Sequence, residues 1–326
     1  MGTSNSKMKF KEAIEALSAE DVPREDTDFW DELWRLKTTT EEVWEIISPD
    51  DVRRLKKERP QNLHTLFDQA VCQLCQVIQT PLPQYFDQAL NCVRVLTRIL
   101  PFMMEEPDDE WVRQLCWSTV EDSPFGGGGG DGGAKSGDDG DGFREPLGQL
   151  VIQAVMHLLF LPSFTVDTDA FENEYEEDEQ EEDLDVLHPG AVWAPGIIVP
   201  DDIVVQSTTY DKNRVEVLRL MLAMLCEPLF QPADNFDPVR SLWLKSATAI
   251  DVPYASLLFY SLLNTVISFD PVGWGVPYGA NVSRSGAPAR VLEKAAQVLI
   301  VLLDHGPSVS TPPAEGEEGE GEGNGG

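Results

Sequence analysis

Basic residues are scarce in this chain. Among 326 residues, 24 lysines and arginines face 57 aspartates and glutamates, leaving a formal net charge of −33. Such a chain lacks the basic face that a phosphate backbone requires, which excludes nucleic acid as a partner. An anionic membrane repels most of the same surface, so any membrane contact has to come from a local device. Cysteine is sparse as well. Cys72, Cys75, Cys92, Cys116 and Cys226 are odd in number, scattered and mostly set in apolar helical patterns, which suits reduced thiols rather than a disulfide framework. The four histidines are isolated in the sequence, His157 inside an apolar run and His305 at the end of one, and structural roles are expected for them. Strand-type alternation is almost absent. Long apolar runs are missing too. Val252 to Phe269 is uncharged but interrupted by Pro253, Ser256, Ser261, Asn264, Thr265 and Ser268, and reads as a buried helix rather than a membrane span. The polar first residues contain no apolar stretch of the kind that marks a secretory signal.

What is present is helical periodicity. Phe10, Ala13, Ile14 and Leu17 recur at the spacing of one helix face. Ser48-Pro49-Asp50-Asp51 reads as an N-cap, a proline at the first helical position and acids in the first turn. Leu63 to Ile78 predicts a long helix. A second follows Pro83, with Phe86, Leu90, Val93, Thr97 and Leu100 in register and Pro101 expected to stop it. Further helices are expected near 145–160, 212–226, 254–269 and 289–304. Leu147 to Leu161, apolar nearly all round, should be buried on several sides.

Two stretches break the pattern. Residues 121–144 are rich in glycine and aspartate, and 167–185 hold twelve acidic residues and no basic one. Neither can bury enough apolar surface to offset the entropy of ordering. The expected organisation is therefore an amphipathic N-terminal segment (1–20), a helical region (21–120), a disordered Gly/Asp loop (121–144), a buried helix (145–166), a disordered acidic loop (167–185), a helical region (186–306) and a disordered Gly/Glu tail (307–326). The fold class is all-α, a helical bundle or a stacked array of helical pairs with long disordered loops.

Most motif-like strings dissolve on inspection. Cys72-Gln73-Leu74-Cys75 lacks the second ligand pair that zinc needs and lies on an apolar helix face, so no metal site is expected. Ala134-Lys135-Ser136 ends a defective phosphate-loop echo without the flanking strand and helix. The acidic run lacks the EF-hand pattern and reads as a solvated linker. Asp270 to Gly279 combines turn residues with Trp274 and Tyr278; either a helix connection with aromatic anchors or an exposed interaction loop fits. No catalytic grouping is assigned.

The start of the chain is different. Met1-Gly2-Thr3-Ser4-Asn5-Ser6 fits the N-myristoylation pattern completely, and glycine is the residue whose unhindered amine can be acylated once Met1 is removed. One acyl chain binds bilayers only marginally, with a constant of about 10⁴ M⁻¹, and stable residence takes a second signal. Lys7, Lys9 and Lys11 follow at once, beside Phe10. At roughly 1 kcal/mol each near an anionic surface, three lysines would strengthen binding on the order of a hundredfold. Gly2 is thus the expected lipidation site, and Lys7, Lys9, Phe10 and Lys11 the expected membrane contacts. The competing reading is an ordinary first helix whose apolar stripe packs on the core.

Several segments together resemble the high-temperature-induced dauer formation protein family, relatives of dymeclin. They are MGTSNSK (1–7), FWDELW (29–34), LNCVRVLTRILPFMMEEPD (90–108), CWSTV (116–120), SLLNTVISFDPVGWGVPYG (261–279) and AAQVLIVLLDH (295–305), in the family's order over nearly the whole chain. The resemblance implies a myristoylated, non-enzymatic protein, cytoplasmic and peripheral on Golgi and trans-Golgi membranes. It would act in secretory cargo sorting and granule formation with trafficking proteins as partners, and with no cofactor beyond the covalent myristate on Gly2. The alternative is a soluble helical-repeat adaptor without a lipid anchor. The segment after Tyr278 departs from the family's pattern. The chain is expected to correspond to the N-terminal part of longer family members.

Overall fold

The computed structural model describes residues 2–118, 145–171, 188–235, 237–269 and 286–305. The expected disordered loop at 121–144, most of the acidic run from 172, the turn-rich segment 270–279 and the tail beyond 306 lie outside them.

Among the described residues there are twelve α-helices and no β-strand, the only extended pairing being an isolated bridge between Pro162 and Val166. The fold is all-α, as the periodicity implied. The helices are α1 (Gly2–Ala19), α2 (Thr27–Arg35), α3 (Thr40–Ile46), α4 (Pro49–Glu58), α5 (Pro60–Gln79), α6 (Phe86–Met103), α7 (Glu110–Trp117), α8 (Leu147–Leu159), α9 (Thr208–Met224), α10 (Leu242–Ala247), α11 (Ala255–Ile267) and α12 (Ala287–Asp304). α1 packs on α2, α3 and α4. The central α6 packs on α2, α3, α4, α5 and α9. α9 packs in turn on α8 and α12, and α12 on α11. The core is thus handed from layer to layer, from α1 at one end to α11 and α12 at the other.

Local chemistry explains several boundaries. The Ser48 hydroxyl accepts from the Asp51 N–H (3.2 Å) and the Asp51 carboxylate accepts from the Ser48 N–H (3.0 Å), with Pro49 opening α4; each satisfies a donor the helix start would otherwise orphan. Thr39 and Glu42 form a second such box at α3. α8 is buried around most of its girth, through Val151, Ile152, Val155, Leu158 and Leu159. Its Gly148 sits against α7, where an added Cβ would lie 3.0 Å from the Cys116 carbonyl and the Trp117 ring.

Two expectations are corrected. Pro101 does not stop its helix, since α6 runs through Met103. Its ring costs α6 the bond that an N–H there would have donated to the Thr97 carbonyl, yet the ladder resumes beyond it, with the Met104 N–H reaching the Leu100 carbonyl at 3.0 Å. The region from 186 does not begin helically. After a 3-10 turn at Pro189–Ala191 the chain is irregular up to α9, because Pro195, Gly196 and Pro200 interrupt it. It is nonetheless packed, with Val192, Trp193 and Val199 buried. The first residues of the acidic run, 167–171, are also described, as a turn with Ala170 buried.

Irregular segments bring backbone groups into the interior, and buried asparagines meet them. Asn62 on α5 donates to the Leu17 and Glu20 carbonyls (2.7 Å each) and accepts from the Val22 N–H at 3.1 Å. Asn91 on α6 donates to the carbonyls of Trp34 (2.8 Å) and Leu36 and accepts from the Thr38 hydroxyl at 2.9 Å. Asn264 on α11 donates to the Ala194 and Ile197 carbonyls (3.2 Å each) and accepts from the Ile197 N–H at 2.9 Å. There Gly196, at φ +152°, admits no side chain: a Cβ would stand 2.8 Å from the Asn264 Oδ1. Replacing Asn91 by leucine keeps the branching of the side chain, adds volume to a packed site and strands three buried polar groups. Urea unfolding should show a loss of about 3 kcal/mol with an unchanged slope.

Candidate functional site

The sequence directs attention to α1. Gly2 is its first residue, and the helix continues unbroken to Ala19. Phe10, Ile14 and Leu17 point inward on the layer formed by α2, α3 and α4, Phe10 with only 1% of its surface exposed. Phe10 is therefore no membrane contact in this arrangement. The apolar stripe that could have served a bilayer is committed to the core, where burying a phenyl ring gains the same transfer free energy without a membrane.

The three lysines lie on the solvent side, each beside a carboxylate. Lys7 Nζ is 2.7 Å from Glu45 of α3, Lys9 Nζ 2.5 Å from Glu32 of α2, and Lys11 Nζ 3.6 Å from Glu15 one turn on. The Glu32 hydrogen bond holds the Lys9 ammonium above its ordinary pKa. Pairs this exposed contribute little to stability. Lys7 and Lys9 join α1 to α3 and α2, Lys11 pairs within α1, and the field of all three is partly cancelled by the carboxylates beside them.

The sequence reading missed a cavity of about 550 Å³. It lies where the α6–α7 connection, α7, the 3-10 turn Glu227–Phe230 and α10 meet, with Trp117, Trp243, Asp108, Asp109, Arg113 and Glu227 in its lining. Trp117 and Trp243 meet edge to face at 5.1 Å. Asp108 is held at φ +59°, and Lys56 crosses from α4 to bind Asp109 at 2.5 Å. Burial pushes the Glu227 carboxyl up; a 2.5 Å hydrogen bond from the Ser241 hydroxyl opposes this, and the Asp108 charge adds to it. The pieces of this cavity are far apart in sequence, so no local pattern announces it.

The remaining candidates lie apart. Cys72 and Cys75 are half-buried on α5. Burial raises the Cys92 and Cys116 thiols and pushes Cys226 up to about 12, which keeps all three protonated and unreactive at neutral pH. No three histidine, cysteine or carboxylate side chains among the described residues are grouped so as to hold a metal ion. His157 is half-buried, its pKa lowered by burial, with its ring edge-on to Tyr254 at 5.2 Å. No helix among the described residues is long and apolar enough to cross a membrane.

The described residues form a strand-free stack of helices, joined layer to layer, which defines the class: an all-α helical array. The family model described as high-temperature-induced dauer-formation protein matches residues 1–320, and the chain belongs to that family. Protein HID1 of Mus musculus is 34% identical over 318 residues, covering 96% of this chain and 38% of the mouse protein. Protein HID1 of Homo sapiens gives the same identity and coverage, and a Hid-1 family protein of Schizosaccharomyces pombe is 27% identical over 319 residues. The chain thus spans less than two fifths of the length of the mouse and human relatives. No solved structure matches it. The family is not known as an enzyme family.

Two outcomes follow from the site. Phe10→Ala should lower stability by about 4 kcal/mol in chemical denaturation, the cost of a large cavity in a packed core. Glu227→Gln should act through pH. A carboxyl whose folded pKa lies above its unfolded value contributes most below the unfolded value, and that contribution is lost as pH rises through the folded one. The glutamine variant should therefore be the more stable protein at pH 7, and thermal melts of the two should converge near pH 4.

Proposed function

We propose that this chain is part of a non-enzymatic peripheral membrane protein of the Golgi and trans-Golgi network, acting in secretory cargo sorting and secretory-granule formation. A myristoyl group on Gly2 holds the helical array at the cytosolic leaflet, and the array offers surfaces to trafficking proteins without a reaction of its own. Membership of the family supports the general reading. One observation supports the anchor: the intact acylation motif Met1–Ser6 leads into a helix whose apolar face is already taken by the core. With that face occupied, only Met8 is left exposed among the large apolar side chains of α1, and a covalent lipid would supply the rest of the apolar contact at this end. The rest of the surface is too acidic to adhere to an anionic leaflet unaided.

The lysines carry less of the binding than their number suggests. Each has a carboxylate within ion-pair reach, so their joint contribution drops from the hundredfold of three free cations to about tenfold.

The test is fractionation and imaging of the tagged protein. Gly2→Ala should move it from Golgi membranes to the cytosol. Changing Lys7, Lys9 and Lys11 together to glutamine should weaken membrane binding about tenfold and make what remains less sensitive to salt, because a screened term has been removed. Persistence of Gly2→Ala on Golgi membranes would overturn acyl anchoring and leave a protein receptor for the helical surface as the account.

A further inference from the structure

The two ends of the array are finished differently. At the α1 end the outward side is mostly polar, carrying Lys7, Lys9, Lys11, Glu12 and Glu15, with Met8 exposed among them. At the other end α12 packs inward through Val291, Ala295 and Val298, yet leaves Ile300 and Leu303 67% and 65% exposed, about one helical turn apart, with Leu299 half-buried beside them. On the adjoining α11, Phe259 and Ile267 are 42% and 53% exposed, with the half-buried Leu263 between them at helical spacing. No charged residue occurs anywhere in α11. In stacked helical arrays each layer covers the apolar face of the one before, and the last layer needs a polar outer face to stay soluble. α1 meets that condition but for Met8; the outer side of α11 does not, nor does the stretch of α12 from Ile300 to Leu303, whereas the earlier turns of α12 expose Arg290, Glu293 and Gln297.

We propose that the outer face of α11 and the end of α12 is an open stacking surface, and that its occupant is an amphipathic helix supplied by the part of the longer relatives that lies outside the stretch matched here. The mouse and human relatives are matched over 38% of their length, so the larger part of each is available to supply such a helix. A second copy of this chain is a poorer occupant, because two bodies of net charge −33 oppose each other's approach. The occupant's stripe would be leucine, isoleucine or valine at helical spacing, covering Phe259, Ile267, Ile300 and Leu303. A basic residue at its edge would meet Asp304, which is exposed next to Leu303.

The experiment co-expresses the full chain with the unmatched remainder of the mouse relative and follows co-purification and dissociation. Wild type should retain the remainder at one to one. The double variant Ile300→Glu, Leu303→Glu should bind about a hundredfold more weakly, since two apolar anchors become buried charges. Its circular dichroism and melting temperature should match wild type because both side chains are already in water. Met8→Glu, at the α1 end, should bind as wild type does. Failure of wild type to retain the remainder, or retention by the double variant at wild-type strength, overturns the proposal. So does a dimer of the chain alone that the double variant converts to monomer, which would assign the face to a second copy.

Discussion

The array depends on buried asparagine side chains that satisfy the backbone of segments that are not helical. A stack of short helices has many connections, and every connection that crosses the interior carries carbonyl and N–H groups that cost on the order of 1–3 kcal/mol each if left unpaired. Asn62, Asn91 and Asn264 project from three different helices, and each both donates to and accepts from a neighbouring connection. Asn213, a fourth buried asparagine, donates to the Phe164 carbonyl at 2.8 Å. An amide suits this position because it offers donor and acceptor together without a charge, so burial leaves no ion to compensate.

The same economy governs the cations. With 57 acids in the chain, lysine and arginine could all have been absorbed in surface pairs. Several also reach the carbonyls at helix ends, where the partial negative charge of the dipole is concentrated. Arg59 donates to Ala19 at the end of α1 (3.1 Å), Arg98 to Ile47 beyond α3 (2.7 Å) and Lys56 to Met103 at the end of α6 (3.0 Å). Each joins the end of one helix to a residue on another, so a charge-changing substitution there loosens a junction between layers. At the surface, Lys7 and Lys9 of α1 hold helix to helix by pairing alone.

What could be read in advance was whatever rests on neighbours in sequence. The Ser48 cap, the all-round burial of α8 and the α1 stripe follow from spacing and local chemistry, and the structure places them as read. Pro101 does not end its helix because one lost bond can be outweighed by the burial of Ile99, Leu100 and Met103 around it, which local spacing does not mark. Phe10 was misread for another reason: an amphipathic stripe states that one face avoids water without saying whether protein or lipid covers it. The asparagine clamps and the Glu227 cavity were invisible, since their partners lie tens of residues away and asparagine is common in loops.

The continuity of α1 has a mechanical consequence. Gly2 and the core-locked Phe10 sit on one uninterrupted helix, about 12 Å apart at the usual rise per residue. A lipid attached through a flexible leader would act as a leash, letting the body tumble above the bilayer. Attached to this helix, it would act as a short stiff stalk. Insertion would then fix the tilt of the whole array, and the same few side chains would face the leaflet in every bound molecule. A glycine pair inserted between Ser6 and Phe10 would restore the swivel while leaving the lipid in place, and so separate being held at a membrane from being held there in one orientation.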